Sequence, residues 1–166
     1  MDRKTQLARL LLSKSYMEGQ VTLTSGKTSD YYFDCKQTAL HPEGAYLLGQ
    51  LLFDCLQDGV QGVAGMTLGA DPLVTAVSLV SYLKGWPLPG SIVRKQPKGH
   101  GTNQYLEGMA NFRHGDRIAL LEDVVTTGGS VLKACERVQS AGLNIIQIIC
   151  ILDREEGGRE ALQHNG

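Results

Sequence analysis

The sequence predicts an α/β domain built on a mostly parallel sheet, and three observations lead there. From residue 63 onward, short apolar runs alternate with stretches of helical period. The run Ile145 to Leu152 is apolar almost without interruption, which suits a central parallel strand covered on both faces. At 166 residues and 42% hydrophobic content, the chain has the length of a single domain and enough apolar surface for a real core.

The elements follow in order. Leu7, Leu10, Leu11 and Leu12 recur at near-helical spacing and predict an amphipathic helix that stops near Gly19. Two extended pieces, Val21 to Leu23 and Tyr31 to Cys35, flank Thr24-Ser25-Gly26-Lys27 and read as a hairpin. Helical period returns from Glu43 to Gln57 through Leu47, Leu48, Leu51, Leu52 and Leu56, and Gly59 closes that helix. A strand at Val63 to Met66 leads into a helix from Asp71 to Leu83, after which Ile92 and Val93 run into a polar loop. That loop, Lys95 to Asn103, holds two glycines, a proline and basic side chains without period, the makeup of an exposed lid. A strand at Arg117 to Leu121, a helix at Gly129 to Ser140, the long apolar run and a helical start at Gly158 complete the order, with no internal repeat.

Charge and cysteine usage narrow the partners. A formal net charge of -1 gives no global field toward nucleic acid or anionic membrane, so an anion site has to be built locally. Cys35, Cys55, Cys135 and Cys150 form no CxxC pair, and no basic segment precedes an apolar run at the N-terminus, so reduced cytoplasmic thiols are expected. The most apolar stretch falls far short of the roughly 20 residues that span a bilayer.

One segment carries the chemistry. Leu120-Leu121-Glu122-Asp123-Val124-Val125-Thr126-Thr127-Gly128-Gly129-Ser130 begins as a buried strand, passes two adjacent carboxylates, and ends in glycines and hydroxyls that open a helix. Unpaired amides at a helix N-terminus, helped by the helix dipole, attract a phosphate, and glycines let it approach closely. Carboxylates at the C-terminal end of a strand sit where open α/β sheets bind ligands, and they can accept hydrogen bonds from two vicinal sugar hydroxyls. A ribose bearing a 5-phosphate suits both halves. A plain strand, turn and capped helix would need only Thr-Gly-Gly-Ser and leaves two acids on a buried strand without a reason. The pattern is neither GxxxxGK[ST] nor GxGxxG, which disfavours nucleoside triphosphate hydrolysis. It resembles the phosphoribosyl pyrophosphate signature of the type I phosphoribosyltransferases.

Further segments narrow the resemblance. Ser25-Gly26-Lys27-Thr28-Ser29-Asp30-Tyr31-Tyr32-Phe33-Asp34 and Arg94-Lys95-Gln96-Pro97-Lys98-Gly99-His100-Gly101 look like those of the orotate phosphoribosyltransferases. Thr67-Leu68-Gly69-Ala70-Asp71 falls where that family places its pyrophosphate turn, and Asp153-Arg154 where an arginine faces the orotate carboxylate. The resemblance implies the type I fold in one domain over residues 1–166, with a small hood to about residue 40, a core from about 41, and a mobile catalytic loop. It also implies transfer of phosphoribosyl to orotate in pyrimidine synthesis, a homodimer sharing loop residues across its interface, and magnesium held mainly through substrate and water.

The residues agree with these implications. Orotate is a flat anion, so Tyr31, Tyr32 and Phe33 offer an aromatic surface, with Lys27, Thr126 and Arg154 as polar contacts. Strand alternation keeps Tyr32 off the face of its neighbours and leaves open which ring stacks. Glu122 and Asp123 are assigned to the ribose, and Arg94, Lys95, Lys98 and His100 to the charge that builds on the leaving pyrophosphate, with Asp123 also counted as catalytic. Some members carry lysines in the pyrophosphate turn and before the Ser-Gly, where this sequence has Leu68 and Thr24; Lys27 is a candidate substitute for the second. The alternatives are a phosphoribosyltransferase for another base and a regulator that senses phosphoribosyl pyrophosphate, the latter requiring a basic face that the balanced charge does not supply.

Overall fold

The computed structural model describes residues 2–22, 28–97 and 104–164. A helix, α1 (Arg3–Lys14), starts at Asp2, whose carboxylate accepts a hydrogen bond from the Thr5 amide at 3.0 Å. It ends at Ser15, not near Gly19. Tyr16–Thr22 already forms strand β1, and Gly19, at φ +139°, sits where pairing with the next strand slips. That partner, β2 (Thr28–Phe33), runs antiparallel, so the expected hairpin forms with longer arms than its apolar residues suggested. The expected strand to Cys35 is cut short because Asp34 caps a short helix, α2 (Cys35–Ala39), by accepting from the Lys36 amide.

The core is a five-stranded sheet. After α3 (Pro42–Asp54) come β3 (Gly62–Met66), α4 (Asp71–Leu83), β4 (Gly90–Val93), the short β5 (Leu106–Glu107), β6 (Arg117–Val125), α5 (Gly129–Ser140), β7 (Asn144–Asp153) and α6 (Gly158–His164). The spatial order is β5-β4-β3-β6-β7, parallel except for β5. Alternation along the central strands feeds two cores. Val63, Ala119 and Leu121 join Leu48, Leu73 and Val77 on the α3 and α4 side, while Ala64, Ile118 and Leu120 join Val131, Ala134 and Val138 on the α5 side.

The long apolar run does not form a central strand. Among the described residues β7 lies at the sheet edge, paired only with β6, and none of its residues is fully buried. Its continuous apolar character reflects packing on both core clusters, through Ile146, Ile149 and Ile151 on one side and Ile145 and Cys150 on the other. Gln147, the polar interruption, takes a hydrogen bond from the Gln57 amide and gives one to the Cys55 carbonyl, pinning the strand to the end of α3. Among the described residues, no helix is long and apolar enough to cross a membrane.

Candidate active site

The site is built at the C-terminal end of β6. The strand continues past the Leu121 end expected from the sequence. Its register with β3 runs to Leu121, but it stays paired with β7 to Val125, so Glu122 and Asp123 lie on the strand beyond its pairing with β3. Glu122 is 6% exposed, and Asp123 follows it half-buried. Burial, together with the hydrogen bond to and repulsion from Asp123, pushes the Glu122 carboxyl up to about 8, against the opposing charge of Lys95. The Asp123 carboxylate accepts from the Val124 amide at 2.9 Å. Beyond Val125 the chain turns at Gly128, with φ +82°, into α5, whose first turn has no side-chain cap; Thr127, Gly129 and Ser130 are exposed there. The leading amides of α5 therefore face outward without a capping acceptor.

The turn between β3 and α4 closes against these acids. The Thr67-Leu68 peptide is cis, and the Thr67 hydroxyl donates to Asp71 at 2.8 Å. A Cβ on Gly69 would meet the Asp123 carboxylate, with Cγ and Oδ1 2.5 Å away. Only a glycine lets the turn and the acid pack this closely. Thr67, Leu68, Gly69, Lys95, Glu122, Asp123, Val124 and Ser130 then line one cleft of 260 Å³, with Met66 and Lys36. Lys36 is the functional candidate that sequence reasoning missed. Its ammonium is tied to Asp34 at 2.5 Å, and its own pKa is raised by that partner, with Asp123 adding a smaller attraction. Its only sequence signal was its place two residues after the capping Asp34. Cys35 is buried beside the same acids, its thiol pushed up to about 12 by burial first and by Asp123 second, so it stays neutral.

The hood contributes an aromatic wall. Arg154, at the end of β7, lies over the Tyr31 ring at 4.5 Å and donates to the Ser29 hydroxyl at 3.1 Å. Tyr31 also stacks with Tyr16 at 5.8 Å between centroids. Of the three hood aromatics it is therefore Tyr31 that meets the arginine, while Tyr32 acts electrostatically on Lys36. Thr126 sits half-buried on the path to α5, its carbonyl against Gly158 of α6, where any Cβ would overlap it. Ala70, fully buried, anchors the turn to the sheet through its amide to the Met66 carbonyl.

Not every expected residue joins the cleft. The Arg94 guanidinium instead pairs with Glu107 at 2.9 Å and donates to the Gln96 carbonyl, so it braces the stem of the loop. Arg137 of α5 completes the brace by donating to the Arg94 and Lys95 carbonyls while stacking on Tyr105. Lys27, Lys98 and His100 lie outside the described residues.

Comparison with known proteins identifies the family. A family model described as a phosphoribosyl transferase domain matches residues 47–164. An orotate phosphoribosyltransferase of Nostoc sp. is 47% identical over 163 residues, covering 98% of this chain and 79% of the relative. The crystal structure of Mycobacterium tuberculosis orotate phosphoribosyltransferase in complex with Fe(III) dicitrate superimposes with a TM-score of 0.84 at 35% identity, covering 99% of this chain and 92% of that one. The same organism's enzyme in complex with 5-phospho-alpha-D-ribosyl 1-diphosphate gives 0.79 at 32% identity, with 99% and 91% covered. Sharing that domain over most of its length and a near full-length likeness to these enzymes, the chain belongs to the orotate phosphoribosyltransferases of the phosphoribosyl transferase family.

Proposed function

We propose that the chain transfers the 5-phosphoribosyl group of phosphoribosyl pyrophosphate to orotate, giving orotidine 5'-monophosphate and pyrophosphate in pyrimidine (UMP) synthesis, with residues 1–166 acting as one domain. The observation that carries this reading is the packing of Asp123 against Gly69, in one cleft with Glu122 and Ser130 at the uncapped start of α5. The acids take the ribose hydroxyls, the amides from Thr126 to Ser130 take the 5-phosphate, and the 67–70 turn takes the pyrophosphate. Orotate lies along Tyr31 with its carboxylate on Arg154, and Thr126 and Lys27 border it. As a ring nitrogen of orotate attacks the anomeric carbon, the bond to pyrophosphate breaks and negative charge grows on the leaving group. Lys95, Lys98 and His100 stabilise that charge, and Lys36 supplies cationic character to a turn that carries Leu68.

Magnesium fits the hard carboxylate oxygens of Asp123, reached through water and donor oxygens, with the Glu122 carboxyl beside it; when bound it would neutralise phosphate charge. The protein works as a homodimer. Leu40, Tyr46, Leu68, Leu79 and Leu83 are all exposed along a largely apolar groove of 790 Å³ that starts at the pyrophosphate turn, a face suited to a second copy. Lys98 and His100 then act across that interface, while Lys95 lines the cleft of its own protomer. Four free cysteines accord with a cytoplasmic setting. The test is to incubate the protein with magnesium, phosphoribosyl pyrophosphate and a panel of bases while following orotate absorbance. Orotate is expected to be turned over far faster than any uncharged base; preferred turnover of a purine, or no turnover at all, would overturn the reading.

A further inference from the structure

The loop that follows β7 has an unusual path. Glu155 adopts φ 56°, a left-handed conformation that residues other than glycine rarely take, and its amide donates to Asp153 Oδ1 at 2.9 Å. The turn brings the carboxylate of Glu156 back onto Arg154, with Oε1 2.9 Å from Nε. That Nε is buried and its N-H is aimed at no acceptor among the described residues, so the contact with Glu156 is an ion pair and not a hydrogen bond. The Arg154 side chain is 7% exposed, and among the described residues its other polar and ring contacts are the Nη2 hydrogen bond to Ser29 and the Tyr31 ring.

A guanidinium so far removed from water needs a counter-charge. Glu156 supplies one before any anionic acceptor arrives. It occupies the Nε edge, Ser29 takes one hydrogen of Nη2, and Tyr31 covers a face. What remains without a protein partner among the described residues is the Nη1 nitrogen and the second hydrogen of Nη2. The Nη1/Nη2 edge, which Glu156 does not occupy, is of the kind that grips a carboxylate end-on with two parallel hydrogen bonds.

We propose that Glu156 is a positioning residue that fixes the Arg154 guanidinium so that only its Nη1/Nη2 end meets the acceptor. The Arg154–Glu156 pair then sets the preference for a carboxylated pyrimidine over an uncharged one. This rests on the reading that Arg154 receives the orotate carboxylate.

The test compares wild type with Glu156→Gln, Glu156→Asp, Arg154→Ala and the Arg154→Ala/Glu156→Gln double variant, using orotate and uracil as acceptors and circular dichroism to verify folding. Glu156→Gln should raise the KM for orotate about tenfold, roughly the loss of one oriented charged contact. The KM for phosphoribosyl pyrophosphate should stay within about twofold, as should turnover of uracil, which has no carboxylate to misplace. Glu156→Asp, which keeps the charge, should restore part of the loss and decides the matter if the glutamine variant does not fold. In the Arg154→Ala background the glutamine substitution should add nothing. An unchanged orotate KM in folded Glu156→Gln, with Arg154→Ala impaired, overturns this inference and leaves the arginine's role standing. Additive losses in the double variant, or equal losses with uracil, overturn it as well. An Arg154→Ala enzyme with unaltered orotate KM refutes the underlying reading and the inference together.

Discussion

Replacing Gly69 with alanine isolates the contact on which the proposed donor site depends. The backbone at Gly69 lies outside the left-handed region, so alanine brings no conformational strain of its own. The added Cβ would stand 2.5 Å from Asp123 Cγ and Oδ1, whereas real Cβ contacts stay beyond 3.0 Å, so the carboxylate has to retreat by at least half an ångström. It would also loosen its 2.9 Å hydrogen bond from the Val124 amide. A hydrogen bond to a charged group contributes about 1.5–3 kcal/mol, and tenfold in rate corresponds to about 1.4 kcal/mol. Misplacement of about 1 Å at a reacting centre can cost about a hundredfold. The expected outcome is a fall of about 10- to 100-fold in kcat/KM for phosphoribosyl pyrophosphate, with a thermal midpoint lowered by only a few degrees. Steady-state kinetics with each substrate varied in turn, beside differential scanning fluorimetry, measures both. A folded Gly69→Ala protein with kcat/KM within twofold of wild type would refute the argument, because the acid would then not need its place against the turn.

Other perturbations probe different parts of the molecule. Nothing lies within 4 Å of a Cβ added at Gly129, so Gly129→Ala should leave stability equal or slightly raised, yet raise the KM for phosphoribosyl pyrophosphate about tenfold or more by crowding the phosphate at the start of α5; an unchanged KM would move the phosphate elsewhere. The Glu122 carboxyl, at about 8 in the folded protein against an ordinary 4.5, holds an extra proton between those values, so stability should fall as pH rises from about 5 to 8, by at most about 1.4 kcal/mol per pH unit. Glu122→Gln should flatten that slope in urea titrations across the window; equal slopes in both proteins would place the proton on another group. Leu79→Asp puts a charge on the exposed apolar groove and should give monomers in sedimentation with activity lowered at least tenfold, whereas a fully active monomer would separate catalysis from assembly.

Much of this architecture is legible in the residues themselves, because it depends on local periodicity and on backbone chemistry. The helices Asp71–Leu83 and Gly129–Ser140 are found with the bounds read from their apolar spacing, the first led by Asp71-Pro72 and the second by Gly128-Gly129. Two acids at the end of a buried strand followed by small residues are likewise found side by side in one cleft with the start of α5, since the strand, the turn and the exposed amides all lie in one short stretch. Where sequence reasoning erred, the missing information was long-range. An apolar run has the same composition whether it lies at the centre of a sheet or at its edge, and only the pairing order puts β7 outside β6. The strand β5 is two residues long and forms only because β4 is there to pair with it.

The site divides the same way. Sequence by itself determined which chemical groups are available: paired carboxylates, a glycine-rich helix start, hood aromatics and an arginine after the last strand. Tertiary structure alone decided that Asp123 rests on Gly69, that Lys36 enters the cleft, that Arg94 turns to Glu107, and that Glu156 folds back onto Arg154. Three of those four join segments more than ten residues apart, and the fourth hangs on a left-handed residue between two charges. Such encounters depend on how the sheet orders its strands and turns its loops, and local propensity carries no record of that order.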